Sequence, residues 1–167
     1  MFSKILIANR GEVAVRIIRA CREMGIDTVC VYSEPDRESL HVLMAEEAYC
    51  IGPGRVSESY LNMGAIISIA LATGCTAIHP GYGLLSENSE FARICEENKL
   101  IFIGPDAKTI IRMGDKEEAR RLMKAAGVPV VPGVEDIKNA EEAKEFAKTV
   151  GYPILVKAAA GGGGKGI

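Results

Sequence analysis

The stretch KILIANRGEVAVRIIRACREMGIDTVCVY, residues 4–32, decides the fold. It opens with a short apolar run, KILIA, and closes with a second one, DTVCVY. Between the two runs, apolar residues recur at steps of four, four and three, the spacing of a helix with one buried face. These residues are Val13, Ile17, Cys21 and Met24. A strand, a helix and a second strand in this order predict a βαβ unit with parallel strands.

The alternation of strands and helices continues to Gly104. The pattern predicts further strands at AYCIG, TAIH and LIFIG, separated by helices over residues 39–46, 60–73 and 87–98. Strands that alternate with helices form a parallel sheet covered on both faces. The first hundred residues therefore predict an α/β fold with a Rossmann-like parallel sheet.

The pattern changes after Gly104. A short helix is predicted up to Gly114, and Asp115 then opens a new helix as part of a capping box with Glu118. A last helix over 139–150 and an apolar run, PILVKAAA, follow. We predict a first domain over residues 1–113 and the start of a second over 114–167, which is too short for a core of its own.

Composition excludes several classes of function. Hydrophobic residues make up 48% and charged residues 25%, as in globular proteins. A net charge of −2 gives no electrostatic case for binding nucleic acid. The apolar run AIISIALA is too short to span a bilayer, and the N-terminus shows no secretory signal. The five cysteines form no CxxC pair and are expected to be reduced core residues, so we expect a cytoplasmic protein with no nucleic-acid or membrane partner.

The terminal stretch KAAAGGGGKGI, residues 157–167, is the first candidate site. It is not a Walker A motif, because Lys165 is followed by Gly166 and not by Ser or Thr. A glycine loop that leaves a strand exposes backbone N–H groups that can cover phosphates. Lys157, predicted mid-strand on the side of Leu155, would need an anionic partner if buried. A phosphate-covering loop and a surface hinge both remain open on these residues alone.

The stretch AIHPGYGLLSEN, residues 77–88, is the second candidate site. Pro80 and Gly81 fit the centre of a type II turn, which places Tyr82 at the carboxyl end of a strand. Ligands of open parallel sheets bind at that edge. Ser86 is predicted to cap the next helix. The residues alone leave open whether this loop, or Lys116 in the helix that Asp115 caps, contacts a ligand.

Several motifs together resemble biotin carboxylases. In chain order these are KILIANRGEVAVRIIRACREMGI, AIHPGYGLLSEN, FIGP, MGDKEEAR, AGVPVVPG and GYPILVKAAAGGGGKGI. The resemblance runs essentially the whole length, and the HPGYGxLSEN element is specific to that family. It implies the N-terminal part of the biotin carboxylase of acetyl-CoA carboxylase, or the equivalent domain of pyruvate carboxylase or another biotin enzyme. The two predicted domains would then be the pre-ATP-grasp domain and the start of an ATP-grasp domain.

The resemblance also implies a chemistry and a set of binding residues. ATP, with magnesium or manganese, phosphorylates bicarbonate to carboxyphosphate, and the carbon dioxide it yields is captured by carrier-bound biotin. Tyr82 matches the tyrosine that lines the biotin pocket of the family. The residues that match its ATP-binding positions are Lys116, Lys157, Gly162, Gly163, Gly164 and Lys165. The family commonly has Ala-Ser, five glycines and an arginine at this loop, whereas this sequence has three alanines, four glycines and Lys165.

The resemblance sets further expectations about partners. It implies a biotin carboxyl carrier protein, a carboxyltransferase and a homodimer, and it implies that catalytic and metal-binding residues lie beyond Ile167. We therefore expect this chain to be an inactive part of a longer enzyme. Glu12, Arg16, Arg19 and Glu23 share one face of the first helix and could pair across a two-fold axis. Two other hypotheses remain: a non-catalytic assembly module, and an ATP-grasp ligase for amine substrates such as the carbamoyl-phosphate synthetases.

Overall fold

The computed structural model describes residues 2–134 and 137–156, apart from the side chains of Lys116 and Glu117. The chain divides into two compact units, one that ends at Gly114 and one that begins at Asp115. The predicted residues of the glycine loop, together with Lys157, lie outside the described residues.

The first unit alternates strands and helices as the sequence predicts. Its strands are β1 (Lys4–Ile7), β2 (Asp27–Tyr32), β3 (Glu47–Cys50), β4 (Ala77–His79) and β5 (Ile101–Phe102). Its helices are α1 (Gly11–Glu23), α2 (Leu40–Met44), α3 (Met63–Ala72), α4 (Ser89–Glu97) and α5 (Ala107–Gly114). The α/β class and the parallel sheet are thereby confirmed.

The strands lie in the order β3-β2-β1-β4-β5, and every pair is parallel. Ile5 pairs with Thr28 of β2 on one side and with Ala77 of β4 on the other. The order reverses between β1 and β4, since β2 follows β1 on one side and β4 lies on the other. This reversal is a topological switch point, where open parallel sheets usually bind their ligands.

Alternate side chains of the strands build two separate cores, because successive residues of a strand point to opposite faces. On one face, Leu6 and Ile78 pack with Ile66 of α3 and Phe91 of α4. On the other face, the strand residues pack against α1. The buried residues of that second core are Ile5, Ile7, Ala14, Ile17, Ile18, Cys21, Ile26, Cys30 and Ala77. Helices therefore cover both faces of the sheet, as expected.

Four expectations about the first unit were wrong. Met24, expected on the buried face of α1, follows the end of that helix and is 60% exposed. Helix α3 begins at Met63 and not at Tyr60, because Asn62 caps it by accepting a hydrogen bond from the N–H of Ala65 at 3.1 Å. Helix α4 is capped by Asn88 and not by Ser86. The N–H of Ser86 instead donates to the Gly83 carbonyl at 2.9 Å, within the preceding loop. Cys50 is exposed on the edge strand β3, while the other four cysteines are buried.

The second unit contains helices α6 (Lys116–Ala125) and α7 (Ala140–Val150). Asp115 caps α6 by accepting a hydrogen bond from the N–H of Glu118 at 3.1 Å, as its position predicts. The expected strand at PILVKAAA is not formed by its described residues, 153–156, which pair with no other strand in the described chain. Leu155, one of these residues, is 66% exposed.

Within the described parts of the chain, none of the helices reaches the length and hydrophobicity of a membrane span.

His41 is a buried histidine of α2. Its side chain is 1% exposed, and neither ring nitrogen has a hydrogen-bond partner within the described structure. Burial, which outweighs the influence of the Val31 backbone and of the Asp36 carboxylate, lowers the pKa of His41 below its usual 6.5. The folded protein therefore holds His41 neutral under conditions in which the unfolded chain already binds a proton.

We predict that His41 lowers stability in acid. Below pH 6.5 the unfolded chain protonates His41 and the folded chain does not, so the free energy of unfolding falls as the pH drops through 6.5 and is unaffected by His41 above it. Urea denaturation of the wild type and of His41→Leu, at about pH 8 and about pH 5, measures this effect. His41→Leu should lose less stability between the two values. His79, which also has a pKa lowered by burial, titrates in both proteins and cancels in the comparison. Equal losses would contradict the prediction.

Candidate functional site

The candidate site lies at the carboxyl edge of the sheet, where the turn between β1 and α1 meets the loop that follows β4. The turn contains Ala8, Asn9 and Arg10, and the loop covers residues 80–88. Since β1 and β4 are neighbours at the switch point, their carboxyl ends bring the turn and the loop together.

Asn9 joins the turn to the loop. Its side chain is 3% exposed, and its amide nitrogen donates to the carbonyl oxygens of Pro80 at 2.7 Å and Tyr82 at 3.0 Å. Its amide oxygen accepts from the N–H of Arg10 at 2.9 Å. All the hydrogen bonds fit a single orientation of the amide, which fixes the backbone on both sides of Gly81.

The loop itself is a tight turn, as Pro80–Gly81 predicts. Gly81 has a φ of +67°, and its N–H donates to Nδ1 of His79 at 3.0 Å. His79 therefore has a structural role in this turn. Its Nδ1 atom accepts the hydrogen bond from Gly81 and is not free to bind a ligand. Leu85, only 1% exposed, anchors the far end of the loop in the core.

Gly81 also lies where no side chain fits. A Cβ atom added there would meet Cγ1 of Val13 at 2.6 Å and Nδ2 of Asn9 at 2.7 Å. Gly83 has the same φ of +67°, but a Cβ atom added there would meet nothing within 4 Å. The close approach of the loop to Asn9 and to α1 therefore depends on Gly81 and not on Gly83.

Tyr82 is the residue that this turn presents to solvent. Its side chain is 65% exposed, although its backbone is tied to the buried Asn9. Its hydroxyl donates a short hydrogen bond to the Glu12 carboxylate in the first turn of α1. This bond, followed by burial and by the charge of Glu12, raises the pKa of Tyr82, while the charge of Arg16 opposes the shift.

A second polar cluster occupies the same edge beside the end of β2. The buried Tyr60 donates to Asp36 at 2.6 Å and accepts from the N–H of Ser33 at 3.1 Å. The guanidinium of Arg10 lies 5.3 Å from the centre of the Tyr60 ring and 3.6 Å from the Asp36 carboxylate. Burial opposes ionisation of Asp36, but the hydrogen bonds from Tyr60 and Ser33 outweigh burial and lower the pKa of Asp36. Through Arg10, this cluster fixes the turn between β1 and α1 on the side away from the loop after β4.

The structure describes only some of the predicted site residues. Tyr82 lies at the carboxyl edge, as expected. Lys116 is the first residue of α6, and its side chain is not among those described. The remaining predicted residues, Lys157, Gly162, Gly163, Gly164 and Lys165, lie outside the described residues. Their proposed contacts with ATP stay predictions.

The sequence did not identify Asn9 as part of the site, and it placed Glu12 only on an outer helix face. The sequence does contain a signal that could have pointed to Asn9. Asn9 directly follows a buried strand, and parallel neighbouring strands end at one edge, so the polar residues that follow KILIA and TAIH should meet. Which of them meet depends on the pairing of β1 with β4, which the sequence does not display.

No group of three or more His, Cys, Asp or Glu side chains is placed to hold a metal ion within residues 2–134 and 137–156. The described site is thus a polar surface around one exposed phenol, without a ligand set for a divalent cation.

Comparison with known families gives two matches. Residues 1–110 match the family model described as "Biotin carboxylase, N-terminal domain". Residues 115–167 match the model described as "Carbamoyl-phosphate synthase L chain, ATP binding domain".

Curated and solved relatives match over nearly the whole chain. Biotin carboxylase 1 of Bacillus subtilis (strain 168) is 60% identical over 100% of this chain and 37% of its own length. The 2-oxoglutarate carboxylase small subunit of Hydrogenobacter thermophilus is 56% identical over 100% of this chain and 35% of its own length. The biotin carboxylase domain dimer of that 2-oxoglutarate carboxylase, solved with MgADP, ADP and bicarbonate, has a TM-score of 0.84 at 55% identity, and the match covers 98% of this chain and 36% of the solved chain. The chain thus spans little more than a third of the length of each of these relatives.

We predict that Gly81→Ala destabilises the protein more than Gly83→Ala does. Both substitutions place a side chain at a φ of +67°, which costs about 1 kcal/mol. Only Gly81→Ala also forces Asn9 and Val13 apart, which adds about 1–3 kcal/mol. Urea denaturation of both variants measures the difference in the free energy of unfolding. Equal losses would show that the contact between Asn9 and the loop is not tight.

Proposed function

The chain belongs to the biotin carboxylase family, and from this premise we propose that the full-length protein is an ATP-dependent ligase that carboxylates biotin with bicarbonate. The observation that carries the proposal is the 60% identity to a biotin carboxylase over the whole chain. The fold agrees with it, since the first 110 residues match the N-terminal domain of that family and form its parallel sheet.

The substrates are proposed from the solved relative. That protein holds MgADP and bicarbonate. By analogy, ATP would phosphorylate bicarbonate to carboxyphosphate, and the carbon dioxide it yields would be captured by biotin. A magnesium or manganese ion would neutralise charge on the phosphates. Because the described residues contain no metal-binding cluster, no metal ligand is assigned to them.

The roles of the site residues follow the same proposal. Tyr82 would line the biotin pocket, a role that fits its exposure at the switch-point edge of the sheet. The ATP contacts would come from Lys116, Lys157, Gly162, Gly163, Gly164 and Lys165. Cationic side chains and backbone N–H groups of a glycine loop are the groups that bind phosphates.

The domain division is proposed at residue 114. Residues 1–113 would be the pre-ATP-grasp domain, and residues 114–167 the start of the ATP-grasp domain. Two observations support this division: the compact units meet at Gly114 and Asp115, and the two family models match on either side of this point.

The partners are proposed from the same family membership. Biotin would arrive on a carboxyl carrier protein or domain, and a carboxyltransferase would move the carboxyl group to its final acceptor. We propose acetyl-CoA as that acceptor, and hence a role in fatty acid biosynthesis. The similarity to the 2-oxoglutarate carboxylase subunit makes 2-oxoglutarate the competing acceptor. A cytoplasmic location would suit the five free cysteines.

A second candidate function is favoured by one observation. The model that matches residues 115–167 is described after carbamoyl-phosphate synthase, which supports an ATP-grasp ligase with an amine substrate. The match of residues 1–110 to the biotin carboxylase N-terminal domain supports the first candidate instead. A non-catalytic assembly module is the remaining hypothesis.

We predict that the full-length protein cleaves ATP only when both bicarbonate and biotin are present. Phosphate release is measured with each substrate omitted in turn, and with ammonia in place of biotin. Dependence on ammonia would overturn the proposal in favour of the amine ligase, and absence of ATP cleavage would favour the assembly module.

We predict that in the same assay Lys157→Ala raises the KM for ATP roughly tenfold or more, because it removes a charge-assisted phosphate contact. Lys144→Ala, on the outer face of α7, is its matched control.

The face of α1 expected to form a dimer is exposed in the structure. Arg16, Arg19 and Glu23 all lie on it, as their spacing predicts. Glu12 lies on the same exposed face, and its carboxylate also accepts the hydroxyl of Tyr82. We propose that the four residues form an isologous contact in a homodimer, the assembly in which the solved relative is described.

We predict that Arg19→Glu weakens dimerisation of the full-length protein roughly tenfold or more at low salt, because like charges then meet across the two-fold axis. The loss should shrink at high salt, where exposed charges are screened. Sedimentation at two salt concentrations measures it. Arg37→Glu, an exposed charge reversal outside α1, is the control. If Arg19→Glu and the control dimerise equally well at both salt concentrations, the α1 face is only a solvated surface.

A further inference from the structure

The phenol of Tyr82 has a partner to which the sequence gave no such role. Within the described structure, Glu12 is the one residue that hydrogen-bonds to this hydroxyl. An exposed tyrosine rotates about two side-chain torsions, and 65% exposure leaves little packing to select one orientation. The hydrogen bond to Glu12 is therefore what selects the orientation of the ring.

The backbone of Tyr82 is fixed from the same turn. Asn9 donates to the carbonyl oxygens of Tyr82 and of Pro80, two residues earlier. Glu12 follows Asn9 by three residues, in the first turn of α1. One short segment, residues 9–12, thus holds Tyr82 at its main chain and at its hydroxyl.

We propose that Asn9 and Glu12 are positioning residues for Tyr82 and that they set how the phenol ring meets the biotin ring. This inference rests on the proposed function, since it takes biotin as the ligand of Tyr82. Asn9 fixes where the residue leaves the loop, and Glu12 fixes the direction of the ring. Neither needs to touch the substrate.

The hydrogen bond from Tyr82 also explains why an acid suits position 12. A carboxylate only accepts hydrogen bonds, so it orients the phenolic proton of Tyr82 toward α1. A glutamine retains an acceptor oxygen but removes the charge, which weakens the bond. Glu12→Gln and Glu12→Ala therefore form a graded series that perturbs the ring without touching the core.

The first test is spectroscopic and needs no enzymatic activity. Ultraviolet absorbance follows ionisation of the tyrosines of the full-length protein, and subtraction of a Tyr82→Phe titration isolates Tyr82. Glu12→Gln should shift the Tyr82 transition to lower pH, because the hydrogen bond to Glu12 is the largest cause of its raised pKa. Glu96→Gln, an exposed acid at the end of α4 that is farther from the loop, should leave the transition unchanged.

The second test is kinetic. In the full-length enzyme, Glu12→Gln should raise the KM for biotin roughly threefold to tenfold, the effect of weakening one charge-assisted hydrogen bond, and leave the KM for ATP unchanged. Glu12→Ala should raise the KM for biotin further. In a Tyr82→Phe background, Glu12→Gln should have no additional effect, since the hydroxyl it acts through is absent. Glu96→Gln should match the wild type in both constants.

The outcomes separate the two proposals. A shifted Tyr82 titration with a raised KM for biotin supports positioning by Glu12. An unchanged titration, or a shifted titration with an unchanged KM for biotin, overturns it while biotin carboxylation by the wild type stands. If the wild type does not carboxylate biotin, the proposed function fails and takes the biotin-directed role with it. Asn9→Ser should lose stability as well as raise the KM for biotin, because Asn9 is buried, so the Glu12 variants decide the test.

Discussion

The amide of Asn9 is the interaction on which the candidate site depends. It lies at the switch point between β1 and β4, where helices leave the sheet toward opposite faces and a crevice would otherwise open. The amide donates to two carbonyl oxygens of the loop after β4, so the Asn9 side chain and the loop occupy that crevice. The exposed face of the loop is therefore the candidate surface at this edge of the sheet. Tyr82 occupies that face.

The fold could be predicted from the sequence because its signals are local. The strands and helices of the first unit follow from apolar spacing within windows of ten to fifteen residues, and every predicted element before Gly114 exists. The errors in helix bounds lie at helix starts, since α3 and α4 are capped by Asn62 and Asn88, later than expected. Helices α3 and α4 do not begin earlier because the residues before Asn62 and Asn88 make other hydrogen bonds. Tyr60 bonds to Asp36 and Ser33, and Ser86 forms a turn with Gly83.

The site could be predicted only in part because its contacts are long-range. The turn at Pro80–Gly81 and the exposure of Tyr82 follow from local residue types. The bond from Asn9 to Pro80 joins residues 71 positions apart, and it exists only because β1 pairs with β4 in one register. No local pattern encodes that register. Glu12 illustrates the consequence, since helical spacing put it correctly on an exposed face of α1 but could not supply Tyr82 as its partner.

Two tyrosine–carboxylate pairs at the same edge differ in burial, and this difference decides how much of each ring is accessible. Tyr60 is fully buried, and burial is the largest cause that raises its pKa to about 12, with Asp36 second. Its ring is enclosed by the core and by Arg10, so it can only hold the turn in place. Tyr82 owes its raised pKa first to the bond with Glu12, and most of its ring faces solvent. A hydrogen bond without burial fixes the direction of a ring and leaves its face available, which is what a ligand-binding aromatic residue requires.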